Sequence, residues 1–282
     1  LIIFSIFLKL ISILIIIFCL KKYFKFNYNR SLKYNFFFKF KKYSKWYFLH
    51  MLNLQIFDFV DKYLIKIFMG PAALAIYSIP YQLAGKLTIL SKSISAVLLP
   101  EISNNSEKTN FNHSLNIFVF FIPVFILIIF PFLDKILILW LQDQYSIKIL
   151  ELTKIFLIVA WVSGISHILI TYFEAKKKIK FNTILELYLL IPFLLLLSYV
   201  LFESKNLVLI SFVLLFKECM LLLFRTDKLK KKIDFVNLIY LNIFIVIMNL
   251  IINMYYKEYF YYSITVLIFF NSYLLINKAL KK

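Results

Sequence analysis

The sequence predicts an all-α, polytopic membrane protein of about nine transmembrane helices. Three observations carry the prediction. Apolar residues make up 62% of the 282, apolar runs of membrane-crossing length recur from end to end, and basic residues crowd into every second connection between those runs. A soluble domain has no single core able to bury so many stretches, whereas a bilayer needs about 17–25 mostly apolar residues for each crossing.

The runs fall near 1–20, 48–69, 72–99, 116–133, 149–173, 181–202, 207–224, 235–254 and 259–277. The first begins on Leu1 and ends at Phe18-Cys19-Leu20-Lys21-Lys22, without the small-residue cleavage site of a signal peptide. It is therefore expected to be a helix of a truncated chain, with the missing part upstream. The stretch from Asp134 to Lys148 is amphipathic and too short to cross, so it is expected at the surface.

Orientation follows from lysine and arginine in the short connections. Residues 21–47 hold nine and no acid, and with 101–115, 174–180, 225–232 and 278–282 they hold 22 of the chain's 33 basic residues. The alternate connections carry only Lys135, Lys148, Lys205 and Lys257. The basic set is thus predicted to be cytoplasmic. Lysine outnumbers arginine 31 to 2, which fits AT-rich codon usage, but codon bias does not confine lysine to alternate loops. Loops flanking membrane spans already account for the net charge of +19, so no nucleic-acid partner is called for.

Cys19 and Cys219 both sit within spans and read as small apolar residues. His50, His113 and His167 are too scattered for a metal set, so no metal or cofactor is expected. Three glycines (Gly70, Gly85, Gly164) cannot supply a phosphate loop, a dinucleotide fingerprint or a nucleophile elbow, and the chain does not read as an enzyme.

The most informative segment is 58–103, DFVDKYLIKIFMGPAALAIYSIPYQLAGKLTILSKSISAVLLPEIS. Gly70-Pro71 breaks it where a tight turn is needed, so the flanking helices are expected to be antiparallel neighbours. At about 1.5 Å per residue from that turn, Asp58 lies roughly 18 Å deep, Asp61 and Lys62 about 12–14 Å, Tyr81 about 16 Å and Lys86 about 24 Å. Asp58, Asp61 and Lys62 share a helical face, extended by Lys66, and Asp58 to Lys62 has the favourable order for an intrahelical ion pair. Central charges cost about 2.5–3.5 kcal/mol each on insertion scales, so this stripe should face a bundle interior or a wet cavity. Two readings stay open: the charges pin one helix to its neighbour, or they line an aqueous path and touch cargo.

The following helix is rich in small residues (Ala72, Ala73, Ala75, Ser78, Ala84, Gly85, Ser91, Ser93, Ser95, Ala96), which suits burial between helices, and Pro80 offers a place to bend. Lys92 is expected to snorkel toward the cytoplasmic end. Glu186 and Lys154 lie near the surfaces, and the adjacent Lys217 and Glu218 point about 100° apart on a helix and need not pair.

The pattern Asp58…Gly70-Pro71…Tyr77-Ser78…Leu98-Leu99-Pro100-Glu101-Ile102-Ser103 resembles the start of the second lobe of polysaccharide and O-antigen flippases, in the multidrug/oligosaccharidyl-lipid/polysaccharide exporter superfamily. Ala75-Ile76-Tyr77 stands where that family has a Gly-x-Tyr-like step. Ile136–Val159 and Tyr172–Lys178 resemble later parts of the same lobe. The chain departs from the family at Phe202-Glu203-Ser204-Lys205-Asn206-Leu207, in place of a Gly-rich stretch, and at Gln142-Asp143-Gln144, which lacks a glycine often found there.

The resemblance implies a division into 1–20, the last helix of a missing first lobe; 21–47, a basic interlobe loop; 48–224, a MATE-like six-helix second lobe; and 225–282, two additional helices. It implies a flippase in the bacterial inner membrane, carrying a lipid-linked (undecaprenyl-diphosphate) oligosaccharide for surface polysaccharide biosynthesis by alternating access. Lys62 and Lys86 would attract the diphosphate, Asp58 and Asp61 would orient them or titrate, and Tyr81 would line the same cavity. Membrane lipids and other polysaccharide-assembly proteins are the further partners implied. A drug or cation exporter of the same superfamily is the alternative, which the two lysines disfavour. A membrane-embedded glycosyltransferase or polymerase would need larger outer loops than these.

Overall fold

Gly70 breaks the first helix where the sequence placed its turn. Its φ of +87° and ψ of 174° form a backbone that side chains resist, and no atom lies within 4 Å of where a Cβ would stand, so the glycine serves the backbone alone. Pro71 opens the next arm, where a missing N–H costs nothing. The computed structural model describes residues 34–104 and 108–229, together with Ile243. Their backbone is helical between short connections, and there is no strand among them. Residues Leu1–Ser44 form one compact unit, of which the described part is helix, and Lys45–Lys282 form a second.

The helices are α1 (Tyr34–Gly85, with its break at Gly70), α2 (Leu87–Ser103), α3 (Lys108–Asn116), α4 (Ile122–Leu141), α5 (Ile147–Ala175), α6 (Ile179–Glu203) and α7 (Leu207–Leu229). A five-residue π-turn, Ile117–Phe121, joins α3 to α4, and a 3₁₀ turn, Gln142–Gln144, follows α4. Ser146 caps α5 by accepting from the Ile149 amide, and the Asn206 side chain accepts from the Val208 amide at the start of α7.

The stretches Ser44–Ser103, Ile147–Ala175, Ile179–Glu203 and Leu207–Leu229 are long and apolar enough to cross a membrane. Phe111–Ile126 and Ile128–Gln144, inclined at 53°, make a fifth span if counted as one. The protein is thus a multi-pass membrane protein with four or five such elements among its described residues. The expected spans 48–69 and 72–99 are the two arms of the first stretch, folded back at Gly70. The expected runs 1–20, 235–254 (apart from Ile243) and 259–277 lie outside the described residues.

Two further differences have local causes. Helix α4 continues through Asp134 to Leu141, so the start of the segment expected at the surface is helical. The 53° bend falls four residues before Pro131, whose ring and missing N–H disrupt the bond to that turn. In the small-residue helix, regular bonding lapses at Lys86 rather than Pro80: the Lys86 and Ile89 amides reach back three residues instead of four, and the Thr88 hydroxyl takes the Gly85 carbonyl.

Helix α5 is the hub, packed chiefly against α2 and α7 and also against α4 and α6. In lipid the solvent is as apolar as leucine, so close packing and internal hydrogen bonds hold such a bundle together. Trp161 of α5 is fully buried, and its indole N–H donates to the Phe118 carbonyl at 2.8 Å. That carbonyl belongs to the π-turn, where widening of the helix leaves oxygens without their i+4 donors. One turn on, Gly164 lies under the Phe118 ring, whose Cε1 would stand 2.2 Å from a Cβ.

The connections after α4 and α6 hold non-glycine residues in the left-handed region. Gln142 has φ +47° and Lys205 φ +46°. Such backbones cost roughly 1–3 kcal/mol each for a non-glycine residue. Gln142→Gly and Lys205→Gly should each stabilise the protein by about 1 kcal/mol after the extra unfolded-state entropy of glycine, read as a higher midpoint in thermal unfolding in detergent. Beside Gln142, the Tyr145 hydroxyl donates to Asp134. Burial and that bond push its pKa up to about 12, so it remains a donor at any physiological pH.

Candidate functional site

Two hydrogen bonds cross the hairpin at matching depths. The Tyr77 hydroxyl donates to Asp61 Oδ2 at 2.5 Å, and the Tyr81 hydroxyl donates to Asp58 Oδ1 at 3.2 Å. They are possible because Asp58 and Asp61 are nearly as far before Gly70 as Tyr81 and Tyr77 are after it. Asp61 is buried, taking a Lys62 ammonium at 3.7 Å as well. The pairing of Lys62 differs from the expected one: its Nζ donates to the Asp58 backbone carbonyl, not the carboxylate, and sits 3.7 Å over the Tyr81 ring centre. A backbone oxygen four residues back is within easy reach of a long side chain, and the aromatic face adds cation–π attraction. Tyr77 and Tyr81 both meet Phe156 of α5 edge to face, which fixes the hairpin on the hub.

A cavity of about 430 Å³ opens between α1, α2, α5 and α7. Asp58, Asp61 and Tyr81 line it; Lys62 and Lys86 are not among its lining residues. Asp58, though it lines the cavity, is exposed, as is Lys86. Lys92, expected to snorkel, is among the lining residues. So are Lys217 and Glu218, which pair at 2.9 Å although they are adjacent, because the lysine stem is long enough to wrap back. Lys217 also lies over the rings of Phe57 and Phe193.

At one end of the cavity stands a buried polar cluster that spacing alone does not reveal. Arg225 donates from Nε to Asn182 Oδ1 and from Nη2 to Glu186 Oε1, both at 2.8 Å. Asn182 donates to the same Glu186 oxygen at 2.8 Å, and His50 Nδ1 donates to Glu186 Oε2 at 2.7 Å. All four residues are at most 2% exposed. Sequence reasoning placed Glu186 near a surface and counted Arg225 in a basic connection; the structure puts both inside the bundle. One signal was present. Arg225 is one of two arginines in a chain with 31 lysines, and a planar guanidinium is what a two-partner grip needs. The cluster continues along α1 at Trp46 and Asn53, four residues before and three after His50. The Trp46 carbonyl accepts from Thr183, and the Asn53 amide reaches the Thr183 carbonyl at 3.5 Å.

Among the described residues no group of His, Cys, Asp and Glu could hold a metal ion. The comparisons with known proteins bear on the same hairpin. Residues 1–106 match the family "Polysaccharide biosynthesis protein". Over that stretch, which is under half of its length, the chain is similar to this family. The family match takes in the hairpin with Asp58, Asp61, Lys62, Tyr81 and Lys86. A "Putative O-antigen transporter" of Shigella flexneri is 25% identical over 146 residues, which is half of this chain and 35% of that protein's length. No solved structure matches the chain.

Proposed function

We propose that this chain is part of a flippase that moves an undecaprenyl-diphosphate-linked oligosaccharide across the bacterial inner membrane by alternating access. The observation that carries the reading is the setting of Lys62. Its ammonium is oriented by the Asp61 carboxylate, the Asp58 carbonyl and the Tyr81 ring, inside a stretch long and apolar enough to span a membrane. A charge there would cost about 2.5–3.5 kcal/mol against lipid; Asp61 at 3.7 Å offsets part of this, and the ammonium, only partly buried, keeps room for a second anion. Lys86, exposed at the far end of the hairpin's second arm, is the second cation assigned to the cargo's diphosphate. The family match over this segment and the resemblance to an O-antigen transporter supply the cargo class.

In this mechanism the cations hold the diphosphate while the sugars occupy the hydrated space. A second lobe rocks against this one to expose the space to each side in turn. The test is export. In cells lacking their own flippase and carrying the complete protein, Lys62→Ala plus Lys86→Ala should abolish surface polysaccharide and trap lipid-linked precursor, with normal protein accumulation. Lys→Arg at both positions should restore it. Unchanged export by the alanine pair would refute the role of these lysines.

A further inference from the structure

Where α5 stops, α6 starts and α7 runs out, the bundle carries a set of lysines that the flippase reading does not use. Helix α5 closes in a tight reversal: the Lys177 amide reaches back to the Glu174 carbonyl at 3.0 Å, and the Lys178 amide to the Phe173 carbonyl at 2.7 Å. This pair of bonds is a Schellman cap, whose left-handed position is usually glycine; here it is Lys177, with φ +56°. The cap fixes the turn from which Lys177 and Lys178 project, both exposed. Beside it, Lys180 Nζ lies 5.2 Å from the centre of the Trp46 ring and Lys228 Nζ 5.4 Å from that of Phe181, within the range of cation–π attraction. Phe181 packs in turn on Phe173 at 5.3 Å, and the Thr183 hydroxyl donates to the Trp46 carbonyl, so both aromatic residues are tied to the bundle.

Lys177, Lys178, Lys180 and Lys228 make no ion pair among the described residues. On the same turns Glu174 is half-buried beside a half-buried Lys176, Glu186 belongs to the Arg225 cluster, and Asp227 is exposed. The outward face is therefore strongly cationic. Because α5, α6 and α7 are each long and apolar enough to cross a membrane, their shared end lies at the level of the lipid headgroups. A lysine that served orientation alone would extend into water. One laid across an aromatic ring keeps its ammonium at the height of that ring, where headgroup phosphates sit. A soluble polyanion would satisfy the lysines but leave the partly exposed rings of Trp46 and Phe181 uncovered. We propose that this end of the bundle is a binding site for anionic phospholipid of the leaflet it faces, the ammoniums taking the phosphodiester while Trp46 and Phe181 lie along the upper acyl chains. The site is separate from the cavity and from Lys62 and Lys86, and it does not depend on what the protein carries.

Trp46 is the reporter for the test. The full chain is reconstituted into vesicles of phosphatidylglycerol and phosphatidylcholine in equal amounts, with bromine in the upper acyl chain of one lipid or the other, and quenching of indole fluorescence is measured. The share of Trp46 is the difference between the native chain and Trp46→Phe. Brominated phosphatidylglycerol should quench Trp46 at least twofold more than brominated phosphatidylcholine. Lys177→Gln, Lys178→Gln, Lys180→Gln and Lys228→Gln together should cut that preference by half or more, and arginine at the same four positions should keep it. Lys135→Gln, Lys148→Gln and Lys205→Gln, exposed lysines of the alternate connections, should leave it unchanged. Equal quenching by the two lipids in the native chain would overturn the site and leave its lysines to solvent or to an acidic protein. A preference undiminished in the four-glutamine variant would overturn it as well. So would its erasure, at constant ionic strength, by inorganic phosphate matched to the lipid phosphate, since the ligand would then be a soluble anion.

Discussion

Arg225→Met should cost about 3–5 kcal/mol, the largest loss expected from any single substitution in this bundle. Removing one partner of a buried ion pair leaves the other charge uncompensated, and that penalty exceeds the net worth of the pair. Here the stranded group is Glu186, which would retain only Asn182 and His50 as donors. Steady-state protein level and the unfolding midpoint in detergent should both fall. Glu186→Leu combined with Arg225→Met should be milder than the sum of the two singles, because the pair then leaves together. A double-mutant cycle should return a coupling of at least about 1 kcal/mol. Strict additivity would mean that the two charges do not depend on each other and that the cluster is held by Asn182 alone.

Gly164→Ala should be nearly as damaging, for a reason that has nothing to do with charge. The new methyl would stand 2.2 Å from Phe118 Cε1 and 2.6 Å from Cζ, distances at which something must move. Phe118 is 1% exposed and its own carbonyl is held by Trp161, so the ring has little room to yield. Overpacking of this kind costs typically 1–3 kcal/mol, and a rigid site puts it at the upper end, about 3 kcal/mol. Phe118→Leu in the same chain should recover much of the loss by vacating the space. Gly164→Ala with an unchanged melting midpoint would show that the α5 face relaxes freely there.

These two sites mark where the sequence stopped being legible. The hairpin was readable because its parts are local: one glycine–proline pair sets the turn, and counting residues away from it brings Asp58 and Asp61 opposite Tyr81 and Tyr77. The Arg225 cluster was not, since His50 and Glu186 are 136 residues apart and no periodicity links three separate helices. Depth arguments misled as well. Glu186 is about two turns from the start of α6, a position that reads as solvated in isolation, yet α1 and α7 close over it. Spacing on a helix also says where a Cβ points but not how far a lysine reaches, which is why Lys217 finds Glu218 and Lys62 passes the Asp58 carboxylate for its carbonyl. That the segments holding Gln142 and Lys205 contain no glycine was visible in the sequence. That those side chains would occupy left-handed backbones was not, because nothing local forces it.

The π-turn at Ile117–Phe121 has the arithmetic of an inserted residue. Deleting one position from it, the exposed Phe121 for instance, would let α3 run into α4 as continuous α-helix and swing everything on its N-terminal side by about 100°, one residue's share of a turn. Phe111 and Leu115, now buried, would rotate away from the bundle, and the Trp161 indole would lose the oxygen it binds. The register of the chain between α3 and α4 is thus written in a single residue, so shortening this segment by one is a larger change than replacing any of its side chains.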